Sequence, residues 1–149
     1  MQKLDLKQKK QELEKLIKEL TEINDIILQE FNTFSSVIVN VFVSEEKILE
    51  QFNISTENIK QKLNILYENH EKINFHIKES SSEILKYFFE NQSVLYPFSK
   101  EKLDKYFENF DYHQFISKTS NLNIEFFHLI SLLNINRDNV NMELTNEKN

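Results

Sequence analysis

The chain has 149 residues and a formal net charge of −6, with 40% hydrophobic, 12% aromatic and 28% charged residues. It contains no Gly and no Cys, one Pro, 13 Phe and 5 Tyr. Without Gly, the loops that cradle phosphates, bind dinucleotides or present a nucleophilic serine cannot be built in their usual form, because each needs a backbone free to take φ > 0 or to approach a ligand closely. Without Cys there is no disulfide framework, thiolate zinc site or cysteine nucleophile.

A length near 150 residues reads as one domain, large enough to bury a sizeable core. Ala is absent and Arg137 is the only arginine, while Asn, Lys, Ile and Phe are plentiful, a bias that points to an AT-rich coding gene. The N-terminal stretch Met1–Lys7 is charged and lacks the apolar core of a secretory signal. The most apolar stretch, Val37–Val43, is interrupted by Asn40 and falls far short of the ~20 residues a spanning helix needs. The expected chain is soluble and cytoplasmic.

The first predicted element is a helix over about 4–34. Leu6, Leu13, Leu20, Ile27, Phe34 and Val41 recur every seventh residue, and Leu16, Ile23, Phe31 and Val37 or Ile38 fill the intervening seam. Asp5–Lys9 and Glu14–Lys18 are acid-before-base pairs one turn apart. Val37–Val43 is ambiguous: β-branching favours a strand, yet no second strong strand exists to pair with it, so buried helix is the expectation. Ser44 before Glu45 and Glu46 is a helix start, with Ile48, Leu49 and Phe52 on the apolar face.

A second long helix is expected over about 56–91. Ile59, Leu63, Leu66, His70, Ile73, Ile77, Ser80, Ile84 and Tyr87 alternate steps of four and three, a coiled-coil seam of length comparable with the first. Two such helices suggest an antiparallel pair. Ser80-Ser81-Ser82 reads as a small-residue layer in that seam; the alternatives are close approach of a partner helix or a phosphorylation site. The best break surrounds Pro97. Short aromatic-rich helices follow over about 100–133. Ser99 starts one carrying Leu103, Tyr106, Phe107 and Phe110. Asp111 to Gln114 resembles a capping box before Phe115 and Ile116. Ser120 or Asn121 starts the last, with Phe126, Phe127, Ile130 and Leu133. The expected architecture is all-α: a long helical hairpin or coiled-coil-like bundle, one helical domain over 1–133, and a polar, Asn-rich, frayed tail over 134–149.

Candidate chemistry is sparse. His70 and His76 lie six residues apart, on different helix faces, and cannot easily share a metal. Glu125-Phe126-Phe127-His128 is a single Glu-x-x-His motif, whereas a di-iron bundle needs two. His70 is better read as a polar seam residue that sets register. No catalytic, cofactor-binding or metal-binding residue is assigned, and no cofactor or small-molecule substrate is expected. The acidic balance and near-absence of Arg argue against binding of nucleic acid by the isolated chain.

The positive clue is surplus apolar stripe. Leu13, Leu16, Leu20, Ile23 and Ile27 form the candidate partner-binding face, unless the C-terminal helices cover it within the chain. The leading expectation is a non-enzymatic assembly protein that self-associates or joins a helical protein partner in a larger complex. The alternatives are a small inhibitor or chaperone masking a protein partner, in the manner of an immunity protein or antitoxin, and a helical subunit of a ribonucleoprotein.

Overall fold

A computed structural model describes the backbone of residues 3–108 and 110–148 and the side chains of 5–108 and 110–146; residues 1, 2, 109 and 149, within the expected domain and tail, lie outside it. The fold is all-α. Among the described residues there are six helices and no strand: α1 (Lys3–Ile38), α2 (Glu45–Glu68), α3 (His70–Lys78), α4 (Glu83–Asn91), α5 (Lys100–Tyr106) and α6 (Tyr112–Lys148).

Local chemistry sets the helix starts. Ser44, Ser82 and Ser99 each accept, through the side-chain hydroxyl, the backbone N–H three residues on, at 3.3, 3.4 and 3.2 Å. The Asp111 carboxylate accepts from the Gln114 N–H at 3.1 Å. Each cap satisfies a donor that the first helical turn leaves orphaned, typically worth about 1 kcal/mol.

Three cross-links establish the relation of α1 to the second arm. Asn58 donates to Glu30, Asn69 to Glu19 and His76 to Glu12, at 3.1, 3.1 and 2.6 Å. Numbers rise on one side as they fall on the other, so α2–α3 runs antiparallel to α1. Helix α6 also opposes α1: Phe34 packs against Phe115 with ring centroids 4.6 Å apart, and Asn136 lies beside His76, which reaches Glu12. Segment α4–α5 runs between α2–α3 and α6, antiparallel to both. It meets the former through Asn74–Phe98 and Tyr67–Asp104, and the latter through Phe88–His128, Ser93–Glu125 and Tyr106–Lys118. The chain is therefore an up-down-up-down bundle whose third rod is broken around Pro97.

The long partner of α1 is α6, packed along most of its length. Their interface is a buried line of Leu6, Leu13, Leu16, Leu20, Ile23, Ile27 and Phe34 facing Phe115, Leu122, Phe126, Leu129, Leu133, Val140 and Leu144. Ile59, Leu63, Leu66, Ile73 and Ile77 close the second side, and Phe89, Leu95, Phe98 and Leu103 the third.

Several expectations change. The 56–91 segment is not one helix. At Asn69 the side-chain amide donates to the Ile65 carbonyl and to Glu19, competing with helix continuation. At Ser80–Ser82 the Ser80 hydroxyl accepts the Ser82 N–H, and Ser82 caps α4. The serine run is thus a break and a start, and beyond it the seam rotates: Ile84 is 85% exposed and Tyr87 is also on the surface. The Val37–Val43 stretch is not buried helix. Helix α1 ends at Ile38, and Asn40 accepts the Phe42 N–H at 3.0 Å in an Asx turn that β-branched neighbours, poor helix formers, do not oppose.

The C-terminal third departs most. Ser120 and Asn121 lie inside a 37-residue helix rather than starting one, so of the short helices expected over 100–133 only α5 is short. The segment after 133 continues that helix to Lys148 and is not a frayed tail. Three of its asparagines are engaged: Asn134 donates to the Ile130 carbonyl, Asn136 to the His76 carbonyl and Asn139 to the Ser81 hydroxyl. Val140 and Leu144 are buried in the core beyond them.

Candidate interaction surface

The five candidate docking side chains are not at a surface. Leu13, Leu16, Leu20, Ile23 and Ile27 are 0–2% exposed and belong to the core that α1 forms with the chain's own helices. Their partner-binding role is corrected to a core role, because α6 runs antiparallel along α1 and covers the heptad stripe within the chain.

Surplus apolar surface appears elsewhere, at the turn joining α1 to α2. Val39, Val41 and Phe42 are 76, 87 and 94% exposed, and Ile38, Leu49 and Ile54 add to them. Val37, Val43 and Ile54, with Lys47, Glu50 and Gln51, line a groove of about 230 Å³ beside this tip. Full burial of a side chain such as Phe or Val is worth roughly 1.5–3 kcal/mol, so presenting several together to water forgoes a large stabilisation. The tip is also held in place. Val43 N–H donates to the Asn40 carbonyl, Asn40 N–H to the Val37 carbonyl, and the Asn40 side chain takes the Phe42 N–H. Beneath it Phe34, Phe52, Phe110 and Phe115 interlock with centroids 4.6–6.3 Å apart.

The charge along the chain leading into the tip is one-sided. Between Glu19 and Glu46 there are six acids, Glu19, Glu22, Asp25, Glu30, Glu45 and Glu46, and no Lys, Arg or His. Glu19, Glu30 and Glu45 each accept a hydrogen bond, from Asn69, Asn58 and Tyr112. Glu22, Asp25 and Glu46 are exposed and make no ion pair among the described residues.

A second, smaller patch lies where α4 meets α6, with Tyr87, Val94, Ile124 and Phe127 exposed around a groove of about 260 Å³. A cleft of about 670 Å³ lies between α2 and α5. Its walls mix Lys60, Lys100 and Lys105 with Glu101, Asp104 and Glu108, so neither sign dominates. There Tyr67 donates to Asp104 at 3.2 Å, and burial together with that carboxylate pushes the phenol up to about 12. A phenol so held stays protonated at neutral pH and keeps its proton for that hydrogen bond.

The remaining titratable groups tie elements together. The buried histidine is His76, not His70, whose Nδ1 meets the Tyr67 carbonyl at the half-buried α2–α3 junction. His76 donates through Nε2 to Glu12, and its Nδ1 is buried without a partner. Burial pushes its pKa below the usual value, against the raising effect of Glu12. Glu125 is likewise buried. It accepts from the Ser93 hydroxyl and the Val94 N–H, and desolvation raises its carboxyl above the ordinary range. Ser93 in turn accepts from the Leu95 and Tyr96 N–H groups, so the arrangement pins the α4–α5 connection to α6. Glu125 therefore points into that connection rather than pairing with His128, which packs against Phe88 at 4.4 Å. Among the described residues no group of three His, Cys, Asp or Glu is placed to hold a metal, and no helix is long and apolar enough to cross a membrane.

Family models, curated proteins and solved structures were compared with the chain, and none matches it.

Proposed function

We propose that this chain is a non-enzymatic interaction protein that joins a larger complex by docking its α1–α2 tip onto another protein. The observation that carries the reading is the exposure of Val39, Val41 and Phe42 together on a turn pinned by its own hydrogen bonds. Contiguous apolar side chains on a preorganised tip lose little conformational entropy when covered, which favours binding. The heptad face of α1 supplies the rigid rod that holds the tip away from the bundle's other end.

Site-specific photo-crosslinking in the source cell tests the reading. A photoreactive residue at position 42 should give one discrete protein adduct. The same residue at Lys78, exposed at the opposite end of the bundle, should not. Equal labelling at both positions, or none at 42, rejects a docking role for the tip.

A second reading, an inhibitor or chaperone that masks one protein target, draws support from the same tip and from the acids Glu45, Glu46 and Glu50 that follow it. It differs in predicting a stable one-to-one complex rather than a place in a larger assembly, which light scattering of the cross-linked species separates.

A further inference from the structure

We infer that the occupant of the tip is a basic amphipathic helix of another protein. The inference rests on the docking reading above and adds the partner's chemistry.

The apolar part of the site suits a helix. Val37, Val43 and Ile54 line a groove between the end of α1 and the side of α2, with Val41 and Phe42 bare on the turn beside it. An amphipathic helix lays an apolar stripe into such a groove and keeps its polar flanks at the rim. The polar flanks it would meet here are acidic. Removing the six acids of residues 19–46 from the chain's 24 leaves 18, equal to its 18 Lys plus Arg. An excess of acid equal to the net charge therefore lies from the middle of α1 onward and at the first two residues of α2, and of these acids Glu45 and Glu46 adjoin the turn itself. Glu50 lies on the groove wall as well, with Lys47 the only base there. Helix α1 also ends at the tip with no basic residue in its last turn, so the negative end of its dipole is uncompensated. Lysines flanking the apolar stripe of a partner helix would complete these charges and speed its capture.

The same charges argue against two other occupants. A cytoplasmic-leaflet surface is negative and attracts basic segments, and residues 19–46 contain no base. A second copy joined tip to tip by a two-fold axis would bring two such acidic surfaces together.

The test uses the full chain and three fluorescent synthetic peptides of 18 residues. The first is a Leu/Lys amphipathic helix, the second its Leu/Glu counterpart, and the third has the Leu/Lys composition scrambled so that no apolar stripe forms. Anisotropy should show saturable binding of the first alone. The double variant Val41→Ser with Phe42→Ser should weaken it by about tenfold or more. The double variant Glu46→Lys with Glu50→Lys should weaken it and shift preference towards the Leu/Glu peptide. All four substituted residues are exposed, so circular dichroism should match the parent chain. Three results overturn the inference: equal binding of the scrambled or acidic peptide, parental affinity in the Val41/Phe42 variant, or Phe42-dependent sedimentation with phosphatidylcholine vesicles. A dimer by light scattering that Phe42→Ser dissolves overturns it in favour of a second copy. A discrete adduct at position 42 without peptide binding retains docking and rejects the basic helix, which separates the two failures.

Discussion

The side-chain amide of Asn136 donates to the backbone carbonyl of His76 at 2.9 Å, inside the bundle. The carbonyl needs that donor. Near the end of α3 the Ser80 N–H bonds to Ile77 and the Glu79 N–H to Phe75, leaving His76 an orphan of the helix terminus. One asparagine thus caps α3 from another element and locks the last third of α6 in register.

Asn136→Ala should lower stability by about 1–3 kcal/mol, the usual consequence of leaving a buried polar group unsatisfied. Urea denaturation followed by circular dichroism measures it. Truncation after Asn134 should be worse, because it also strips Val140 and Leu144 from the core. A truncated chain as stable as the full one would show that the tail contributes nothing.

Core and tip should separate cleanly. Leu20→Ala, at a fully buried position, should cost about 2–5 kcal/mol. Phe42→Ser should shift stability by no more than about 0.5 kcal/mol, as exposed substitutions do. The urea midpoints of both variants give the comparison, and a strongly destabilised Phe42→Ser would mean that the ring packs inside the molecule.

His76 should make the fold acid-sensitive. Its folded pKa lies below the unfolded value of 6.5, so as pH falls through 6.5 the unfolded chain takes up a proton that the native chain refuses. Stability present above pH 6.5 is therefore lost on acidification until the folded pKa is passed. Protonation would also create a second buried N–H at Nδ1, which has no acceptor. Urea midpoints between pH 7.5 and 5 should fall in the parent chain and fall less in His76→Gln.

Glu125 should act in the opposite direction. Its folded pKa is raised above 4.5, so its contribution is full below pH 4.5 and is lost as pH rises through the folded value. Glu125→Gln retains an acceptor for Ser93 and Val94 without a buried charge, and should remove this component of the pH profile. Ser93→Ala should cost about 1–3 kcal/mol by releasing the connection from α6. If the Gln and Glu chains show the same profile at acid pH, the carboxyl is not desolvated.

The all-α class and the start of the bundle are legible in the residues. The seven-residue recurrence from Leu6 to Phe34 leaves one stripe to bury, and Ser44, Ser99 and Asp111 mark helix starts that the hydrogen bonds bear out. One step of the seam was misplaced: Glu30 is buried beside Asn58, and Phe31 is only half buried. Helix α6 has a seam of its own, Phe115, Thr119, Leu122, Phe126, Leu129, Leu133, Asn136 and Val140, in steps of four and three. A search for apolar residues alone passes over it, because Thr119 and Asn136 interrupt the pattern. Each satisfies itself by hydrogen bonding, Thr119 to the Phe115 carbonyl and Asn136 to His76.

What the residues alone determine is periodicity, and with it the elements that need a partner: spacing is local, and a stripe of leucines has the same consequence wherever it packs. Which stripe covers which is not local. That Leu13 to Ile27 are core, while Val39, Val41 and Phe42 are bare, follows from α6 running antiparallel along α1 and from an Asx turn lifting the β-branched run off the bundle. Both depend on contacts between residues far apart in the chain, so only the tertiary structure could assign the interior and the surface.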